Sequence, residues 1–253
     1  MLPHVYTRYA SLQGKTVIVT GGASGIGSDL VEAFCQQGSH VHFLDIDQEA
    51  GAALTAQQPA RFYPCDLRDI ATLRHTIQHI AVQEGGIDVL INNAANDERH
   101  DFFSVEPDYW QQRMALNLDH QLFASQAAAA VMREQQSGVI LLTSSTSVMK
   151  GRPGMVGYTT AKAAILGLNQ TLARELGGYG IRVNCLVPGA INTPRQQALW
   201  RSPQANEEIA RMQAINIDLQ GRDVAAMALF VASDDARGCT AAQFIVDAGI
   251  RFN

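Results

Sequence analysis

The segment GYTTAKA, residues 157–163, places Tyr158 and Lys162 four residues apart. In a helix this spacing puts both side chains on one face, one turn apart. A free phenol has a pKa of about 10, too high for a base near neutral pH. A neighbouring ammonium favours the phenolate and so lowers that pKa. The spacing alone is common by chance, so the pair is either a surface accident or a phenol held beside a cation for a reason.

A second candidate is the glycine-rich segment TGGASGIG, residues 20–27. Glycines there allow the backbone to approach a pyrophosphate, whose charge the N-terminus of the following helix favours. The spacing Gly21-x3-Gly25-x-Gly27 differs from the commoner GxGxxG, and a plain tight turn is the alternative. Its place between a strand pattern and a helix pattern favours dinucleotide binding.

Asp45 ends the next strand pattern, 18 residues after Gly27. A carboxylate at that point accepts hydrogen bonds from ribose hydroxyls and repels a 2′-phosphate. The glycine turn and the residues directly after Asp45 contain no Arg or Lys, so NAD is favoured over NADP. Asp47 is a competitor, and Asp45 could instead cap a loop. Asp66, at the tip of the following strand, is expected beside the adenine.

The elements that would position these residues alternate along the whole chain. Strand patterns cover residues 16–20, 40–45, 61–65, 88–92, 139–143, 182–187 and 243–246, and helix patterns cover 26–37, 69–83, 108–134, 158–176 and 223–232. Several strands are apolar at successive positions, which is typical of a parallel sheet covered on both faces. The alternation predicts an α/β fold, a single-domain Rossmann-type doubly wound parallel sheet in three layers, over residues 1–253. Residues 192–220 interrupt it and form either a substrate lid or a poorly packed insertion.

Composition excludes several other classes of protein. The chain has 253 residues, 47% of them hydrophobic, and a net charge of -5, which offers no electrostatic footprint for nucleic acid or an anionic membrane. No apolar run approaches the roughly 20 residues of a membrane span, and the N-terminal residues lack a secretory signal pattern. The four cysteines show no CxxC or paired-histidine spacing, so we expect reduced thiols, no metal and a cytoplasmic protein.

Several motifs together resemble the short-chain dehydrogenase/reductase family. They are TGxxxGIG, NNAA at 92–95, the serines at 144 and 145, YTTAK, and PG at 188–189, within a similarity from about residue 14 to residue 249. The chain departs from the family's usual NNAG and VDGG by an alanine in each, and we expect neither alanine to remove chemistry. The resemblance implies an NAD-dependent oxidoreductase, a homotetramer, and no nucleic-acid or membrane partner.

The resemblance also implies a catalytic tetrad of Asn117, Ser145, Tyr158 and Lys162. Ser145 lies 13 residues before Tyr158, the family's usual interval, and its hydroxyl would bind the substrate oxygen. Tyr158 would be the general acid/base. Lys162 would lower its pKa and hold the nicotinamide ribose, and Asn117 would hold a water in the proton relay. Three neighbouring hydroxyls compete with Ser145: Thr143, Ser144 and Ser147.

A cofactor-binding set follows from the same resemblance. It comprises Gly21, Ser24, Gly25, Ile26, Gly27, Asp45, Asp66, Leu67, Asn92, Asn93, Ala94, Tyr158, Lys162, Pro188, Gly189, Ile191 and Thr193. Among these, Thr193 would bond the nicotinamide carboxamide.

Two polar segments are expected to flank the reacting carbon: NDERHD, residues 96–101, and RQQALW, residues 195–200. Amides, charges and an imidazole suit a ligand with many hydroxyls, and Trp200 could stack on a sugar ring. Both segments resemble the family's bacterial sugar dehydrogenases, which implies oxidation of an aldose at its anomeric carbon to a lactone. Alternatives are another secondary alcohol or 3-oxoacyl compound, a nonenzymatic NAD-binding regulator, and loops that only face solvent. The candidate substrate residues are Ser145, Tyr158, Asn96, Glu98, His100, Gln196 and Trp200, with Lys150 and Arg152 as further candidates.

Overall fold

Residues 4–250 are described by the structure, which is a computed structural model. They contain seven strands: β1 Thr16–Thr20, β2 His40–Asp45, β3 Ala60–Pro64, β4 Val89–Asn92, β5 Gly138–Thr143, β6 Ile181–Pro188 and β7 Gln243–Val246. All seven form one sheet in the order β3-β2-β1-β4-β5-β6-β7, and each neighbouring pair is parallel. The predicted doubly wound parallel sheet is confirmed. Residues 1–3 and 251–253 of the predicted domain lie outside the described residues.

Helices cover both faces of this sheet. Within residues 4–250 they are α1 Ile26–Gln36, α2 Gln48–Thr55, α3 Ile70–Glu84, α4 Pro107–Met114, α5 His120–Gln135, α6 Ser147–Lys150, α7 Val156–Leu176, α8 Pro194–Leu199, α9 Pro203–Met212 and α10 Gly221–Ala232.

The core consists of two apolar clusters, one on each face of the sheet. Side chains of β1 alternate between them, because successive residues of a strand point to opposite faces. Val17 and Val19 pack with α1 and α10, whereas Ile18 packs with α3, α5 and α7. This arrangement confirms the three layers, and it explains why whole strands such as β1 are apolar and buried.

The helices differ from the prediction in several places, two of them at α2 and between α4 and α5. Helix α2 was not predicted, because it has only eight residues. Gly51 in this helix packs directly under the Phe62 ring. The helix predicted over residues 108–134 is divided into α4 and α5 by a π-helical turn, Ala115–Asp119. Such turns are rare, and they occur frequently at functional sites.

The segment 192–220 contains α8 and α9, and neither helix buries a residue in the core. The ends of the segment are held together by a parallel bridge between Asn192 and Gln220. The two short helices therefore lie outside the packed layers, whereas Leu219 near the end of the segment is part of the core. We call residues 192–220 the lid segment.

The strand order reverses between β1 and β4, so the connections leaving these two strands run to opposite sides of the sheet. In open parallel sheets this divergence leaves a crevice at the carboxyl ends of the strands, where ligands bind. The tips of β1 and β4 carry the glycine turn and NNAA respectively.

Candidate active site

One cavity of about 1080 Å³ lies along the carboxyl edge of the sheet. Residues at or just after the tips of six strands line it, from Gly21 after β1 to Pro188 at the end of β6. The lid segment forms the opposite wall with Thr193, Gln196 and Trp200. The fold thus brings the predicted cofactor and catalytic segments to one place.

The glycine turn needs glycine at two positions for different reasons. Gly21 has φ 65° and lines the cavity, and a Cβ there would lie 2.7 Å from Ala94 Cα. Gly27 does not line the cavity, and a Cβ there would lie 1.8 Å from the Gly21 carbonyl oxygen. The contact of Gly27 with the cofactor stays a prediction. The missing side chain of Gly27 allows α1 to approach the turn.

The start of α1 fits a pyrophosphate. Gly25 is its N-cap residue, with φ 57°, and supplies no side-chain cap for the first-turn amides. Ser24, Gly25 and Ile26 all line the cavity. A helix N-terminus without a side-chain cap, beside a glycine-rich turn, forms a site for a phosphate group.

Asp45 lies at the tip of β2 and faces the cavity. Its Oδ2 accepts a hydrogen bond from the Ala23 N–H at 2.9 Å, and its Oδ1 accepts one from the Asp47 N–H at 3.0 Å. The competitor Asp47 is the N-cap of α2, where its carboxylate accepts from the Ala50 N–H. Of the two carboxylates, the structure thus favours Asp45 as the ribose partner.

Asp66 also lines the cavity, next to Leu67, and is paired with Arg68. The Arg68 Nε lies 2.9 Å from Asp66 Oδ1, and Arg68 Nη2 lies 2.6 Å from Asp66 Oδ2. These bonds hold the pKa of Asp66 below its usual value. The guanidinium at this end of the cavity is already engaged by a carboxylate.

The NNAA segment separates into three roles. Asn92 is fully buried, does not line the cavity and donates from Nδ2 to Ser125 Oγ at 3.1 Å, so its cofactor contact stays a prediction. Asn93 donates from Nδ2 to the Gly21 carbonyl at 2.9 Å and steadies the glycine turn. Asn93 and Ala94 both line the cavity.

Ser145 and Tyr158 meet at the centre of the cavity wall. The Ser145 hydroxyl approaches the Tyr158 phenol closely enough to lower its pKa. The Ser144 hydroxyl is not directed at Tyr158, since it donates to the Lys162 carbonyl at 2.6 Å. Ser147 donates its backbone N–H to Ser145 Oγ at 3.1 Å. Among these serines, the geometry favours Ser145 as the partner of Tyr158.

Lys162 is buried against the end of β5. Its Nζ donates to the Thr143 carbonyl at 2.8 Å and lies 5.7 Å from the centroid of the Tyr158 ring. Burial lowers the pKa of Lys162 to about 8. The helical spacing of four residues does place both side chains on the cavity side of α7.

The pKa of Tyr158 is raised to about 12, chiefly by burial. Ser145 lowers it in part, and Asp97 raises it further. The expectation that the Lys162 ammonium lowers this pKa is therefore not met by the protein's own groups. At neutral pH the side chain is a phenol that carries its proton.

Asn117 lies in the π-helical turn and is fully buried. Its Oδ1 accepts from the Asn96 backbone N–H at 2.8 Å, and its Nδ2 donates to the Arg113 carbonyl at 3.0 Å. The side chain thus joins α4 to the segment after β4. A place for Asn117 in a proton relay stays a prediction.

Residues 96–100, which we call the substrate loop after its predicted role, are joined to the lid segment by hydrogen bonds. Asp97 accepts from Arg195 Nε at 3.1 Å and from Gln196 Nε2 at 2.7 Å. Asn96 Oδ1 accepts from Arg195 Nη2 at 3.0 Å. Asn96, Asp97 and Gln196 all line the cavity, so the predicted positions of Asn96 and Gln196 at its wall agree with the structure.

Two other predicted substrate residues do not line the cavity. Glu98 Oε2 pairs with Arg113 Nη1 at 3.0 Å, and His100 Nδ1 lies 2.9 Å from the Tyr109 hydroxyl. Both side chains face α4 instead. Arg99, between them, lines the cavity together with the predicted Lys150 and Arg152.

Trp200 lines the cavity, but one face of its ring is covered. The Arg99 guanidinium carbon lies 3.8 Å from the ring centroid. This contact leaves one face of the ring for a ligand, and the stacking of a sugar on Trp200 stays a prediction. The sequence offered no signal for Arg99, because the pairing joins segments about one hundred residues apart in the chain.

None of the helices between residues 4 and 250 is long and apolar enough to cross a lipid bilayer. The four cysteines are free thiols. Within the same residues, no group of three or more His, Cys, Asp and Glu side chains is arranged to hold a metal ion.

Comparison with known proteins agrees with this geometry. A family model described as Enoyl-(Acyl carrier protein) reductase matches residues 21–251. The D-xylose 1-dehydrogenase of Caulobacter vibrioides is 42% identical over 248 residues, covering 96% of this chain and 98% of the relative. "Probable galactose dehydrogenase GalD" of Rhizobium meliloti is 38% identical, covering 96% and 98% respectively. A solved 7α-hydroxysteroid dehydrogenase, in complex with NADH and 7-oxo glycochenodeoxycholic acid, has a TM-score of 0.91 at 27% identity and covers 97% of each chain.

A doubly wound sheet with a phosphate turn and a tyrosine–serine pair at its carboxyl edge defines an oxidoreductase that uses a nicotinamide cofactor. The chain belongs to the short-chain dehydrogenase/reductase family.

Proposed function

We propose that this protein is an NAD-dependent sugar dehydrogenase that oxidises a cyclic aldose at its anomeric carbon. The C–H bond at that carbon breaks, and its hydrogen leaves with both electrons as hydride to NAD. The hydroxyl proton passes to Tyr158, and the product is a lactone. The names of the two relatives, a D-xylose 1-dehydrogenase and a galactose dehydrogenase, support this substrate class.

The observation that carries the proposal is the polar wall formed by the substrate loop and the lid segment. Asn96, Asp97, Arg99 and Gln196 present hydrogen-bonding groups to the same cavity as Tyr158. A steroid or acyl chain would need apolar walls there, because polar groups lose their hydrogen bonds to water when an apolar ligand covers them. A pyranose supplies a hydroxyl oxygen for nearly every ring carbon.

Each member of the Ser145–Tyr158–Lys162 group has a distinct task. Ser145 donates a hydrogen bond to the reacting oxygen and fixes it beside the phenol. Tyr158 accepts the hydroxyl proton once it has lost its own. Lys162, whose Nζ is held by the Thr143 carbonyl, provides a fixed positive charge on the same side of the phenol. The oxidised nicotinamide, when bound, supplies the hydride acceptor and a further positive charge that favours phenolate.

NAD is proposed over NADP because of Asp45. Its carboxylate is fixed by two backbone N–H groups and still has lone pairs to accept from ribose hydroxyls. A 2′-phosphate at that point would meet a negative charge. Arg68, the nearby cation that lines this end, is bound to Asp66.

The lid segment is proposed to close over the bound sugar. Both α8 and α9 line the cavity while burying no residue in the core, so they can move without disrupting the layers. Thr193, which caps α8 by accepting from the Gln196 N–H, would bond the nicotinamide carboxamide at the start of this segment.

A homotetramer is proposed from the family resemblance. Phe102 and Phe103 precede α4 and are 66% and 91% exposed, and Leu122 on α5 is also exposed, which suits a helical interface between copies. Light scattering would give four times the 27.4 kDa of one chain. A cytoplasmic location stays a prediction from the cysteine pattern.

The test of function is a panel of aldoses offered with NAD and, separately, with NADP, followed by absorbance of the reduced nicotinamide. We expect NAD reduction with at least one pentose or hexose and release of the lactone. Turnover of apolar alcohols or 3-hydroxyacyl compounds, with no aldose oxidised, would contradict the sugar assignment and leave the oxidoreductase intact. NAD binding without any turnover would indicate a regulator.

A further inference from the structure

Arg99 and Trp200 form a stacked pair at the wall of the cavity. The guanidinium carbon lies 3.8 Å from the Trp200 ring centroid, and both residues line the cavity. The Arg99 Nε and Trp200 Nε1 atoms are buried and have no hydrogen-bond partner among the described residues. Buried polar atoms are nearly always paired, so two neighbouring unpaired donors at a cavity wall point to a partner within the cavity, a water or a bound ligand.

Both unpaired atoms are obligate donors. Guanidinium and indole N–H groups donate hydrogen bonds and accept none. Their partner must therefore supply acceptor oxygens. Burial lowers the pKa of Arg99, and repulsion from the nearby Arg152 guanidinium lowers it further. A ligand oxygen beside these two cations would reduce the repulsion.

The backbone around Arg99 is held by the catalytic elements themselves. On one side, the Asn96 N–H donates to Asn117 Oδ1 at 2.8 Å. On the other side, the His100 N–H donates to the Gly154 carbonyl at 3.0 Å, four residues before Tyr158. The substrate loop is therefore fixed relative to the phenol, and Trp200 fixes the guanidinium relative to the loop.

From this geometry we propose that Arg99, held on Trp200, is a specificity-determining residue that binds an acceptor oxygen of the sugar other than the one deprotonated by Tyr158. The inference rests on the proposed function and adds to it the residue that selects among sugars. A neutral aldose would supply the oxygen as a hydroxyl, and a uronate would supply it as a carboxylate.

The test compares wild type with Arg99→Met, which keeps an apolar chain on the indole and removes the donors. Hydrogen bonds to charged groups contribute enough for about a 10- to 100-fold loss of kcat/KM with the preferred aldose. We expect the loss mainly in KM for the sugar, with KM for NAD unchanged. Trp200→Phe, which keeps a stacking ring but removes Nε1–H, should give a smaller loss in the same direction.

The discriminating measurement uses monodeoxy analogues of the preferred aldose. In wild type, the analogue that lacks the hydroxyl bound by Arg99 should have a lower kcat/KM. The factor should equal the loss that Arg99→Met shows with the preferred aldose. In Arg99→Met, that same analogue should show no further loss, while other deoxy analogues lose activity as they do in wild type. A uronate favoured by wild type and not by Arg99→Met would identify the oxygen as a carboxylate.

Arg133→Met serves as the matched control, because Arg133 is an exposed arginine on α5 paired with Glu134. It should leave every kinetic constant unchanged. The inference is overturned if Arg99→Met lowers kcat/KM by the same factor with every deoxy analogue, or lowers it with no substrate. The assignment as a sugar dehydrogenase stands in either case. If wild type oxidises no aldose or uronate, both the inference and the proposed function fail.

Discussion

The backbone N–H of Asn96 donates to the side-chain oxygen of Asn117 at 2.8 Å, and this bond joins the substrate loop to the π-helical turn. Asn117 is fully buried, and its amide nitrogen is held in turn by the Arg113 carbonyl. The position of the loop is thereby set from inside the protein. The side chains that reach the cavity from residues 96–99 are therefore held in place together with the loop.

The proton carrier can be removed without disturbing the rest of the site. Tyr158→Phe deletes one hydroxyl from a buried ring, so we expect kcat to fall by at least about 10²–10⁴-fold, the usual contribution of a general acid/base. NAD binding, followed by quenching of protein fluorescence, should stay close to wild type. Substantial remaining turnover would exclude Tyr158 from its proposed role.

Lys162→Met should abolish most turnover and weaken NAD, since the ammonium is proposed to serve both the phenol and the ribose. The same variant should be more stable than wild type at pH 7, because burial of the ammonium lowers its pKa to about 8 from 10.5. Between these two pH values the unfolded chain binds the proton more tightly than the folded protein does. The buried ammonium therefore lowers the free energy of unfolding of wild type below pH 8. This loss disappears as the pH rises from 8 to 10.5.

Denaturant unfolding of both proteins at several pH values measures this effect. The difference in unfolding free energy between Lys162→Met and wild type should shrink by about 3 kcal/mol across that window, which corresponds to the shift in pKa. The lost hydrogen bond to the Thr143 carbonyl lowers the variant's stability equally at every pH. A difference that does not change with pH would contradict burial of a charged lysine.

Cofactor choice should depend on the tip of β2. In the double variant Asp45→Ala, Ile46→Arg, the repulsion of a 2′-phosphate is removed and a guanidinium is added to bind it. Ile46 is 64% exposed and lines the cavity, so an arginine fits there.

We expect the ratio of kcat/KM for NADP to that for NAD to rise by about 100-fold, equivalent to about 2.8 kcal/mol. Ile46→Arg alone, with Asp45 intact, is the control and should give a smaller shift. Equal use of NAD and NADP by wild type would show that Asp45 does not discriminate.

Ala248 should be a site of stored strain. It has φ 57°, in the left-handed region that side chains with a Cβ rarely adopt. Its carbonyl accepts from the Ala214 N–H at 2.9 Å and the Ile215 N–H at 3.1 Å, so the conformation is kept by contacts with the lid segment. Ala248→Gly should raise the free energy of unfolding by about 1 kcal/mol, because glycine adopts this conformation without steric cost.

Thermal unfolding of the two proteins at one pH measures this difference. Ala241 also has a positive φ, of 59°, and Ala241→Gly provides an independent repeat of the same argument. A loss of stability in both variants would mean that the extra entropy of glycine in the unfolded chain outweighs the strain relieved in the folded protein.

The strands and the phosphate turn were predictable because their signals are local. A strand buried on both faces must be apolar at successive positions, and the predicted bounds of all seven strands agree with the structure to within one residue. The role of Ala248 was not predictable in this way. Its departure from VDGG was visible, but its positive φ depends on bonds to residues more than thirty positions earlier in the chain.

The residues proposed to bind substrate were also only partly predictable from the sequence. The polar composition of residues 96–101 was evident, but composition does not tell which side chains face the cavity. Glu98 and His100 were predicted there and face α4, whereas Asp97 and Arg99 line the wall. That division depends on contacts with Arg113, Tyr109 and α8, which only the folded chain brings together.

The bonds from Asp97 to Arg195 and Gln196 join positions 98 and 99 residues apart, so the wall of the cavity is encoded in two separate stretches of the gene. Transplanting either stretch alone from a relative would place new side chains opposite partners selected for the old ones. A chimera designed to accept a different sugar should therefore exchange both stretches in one step, residues 96–100 with 193–201.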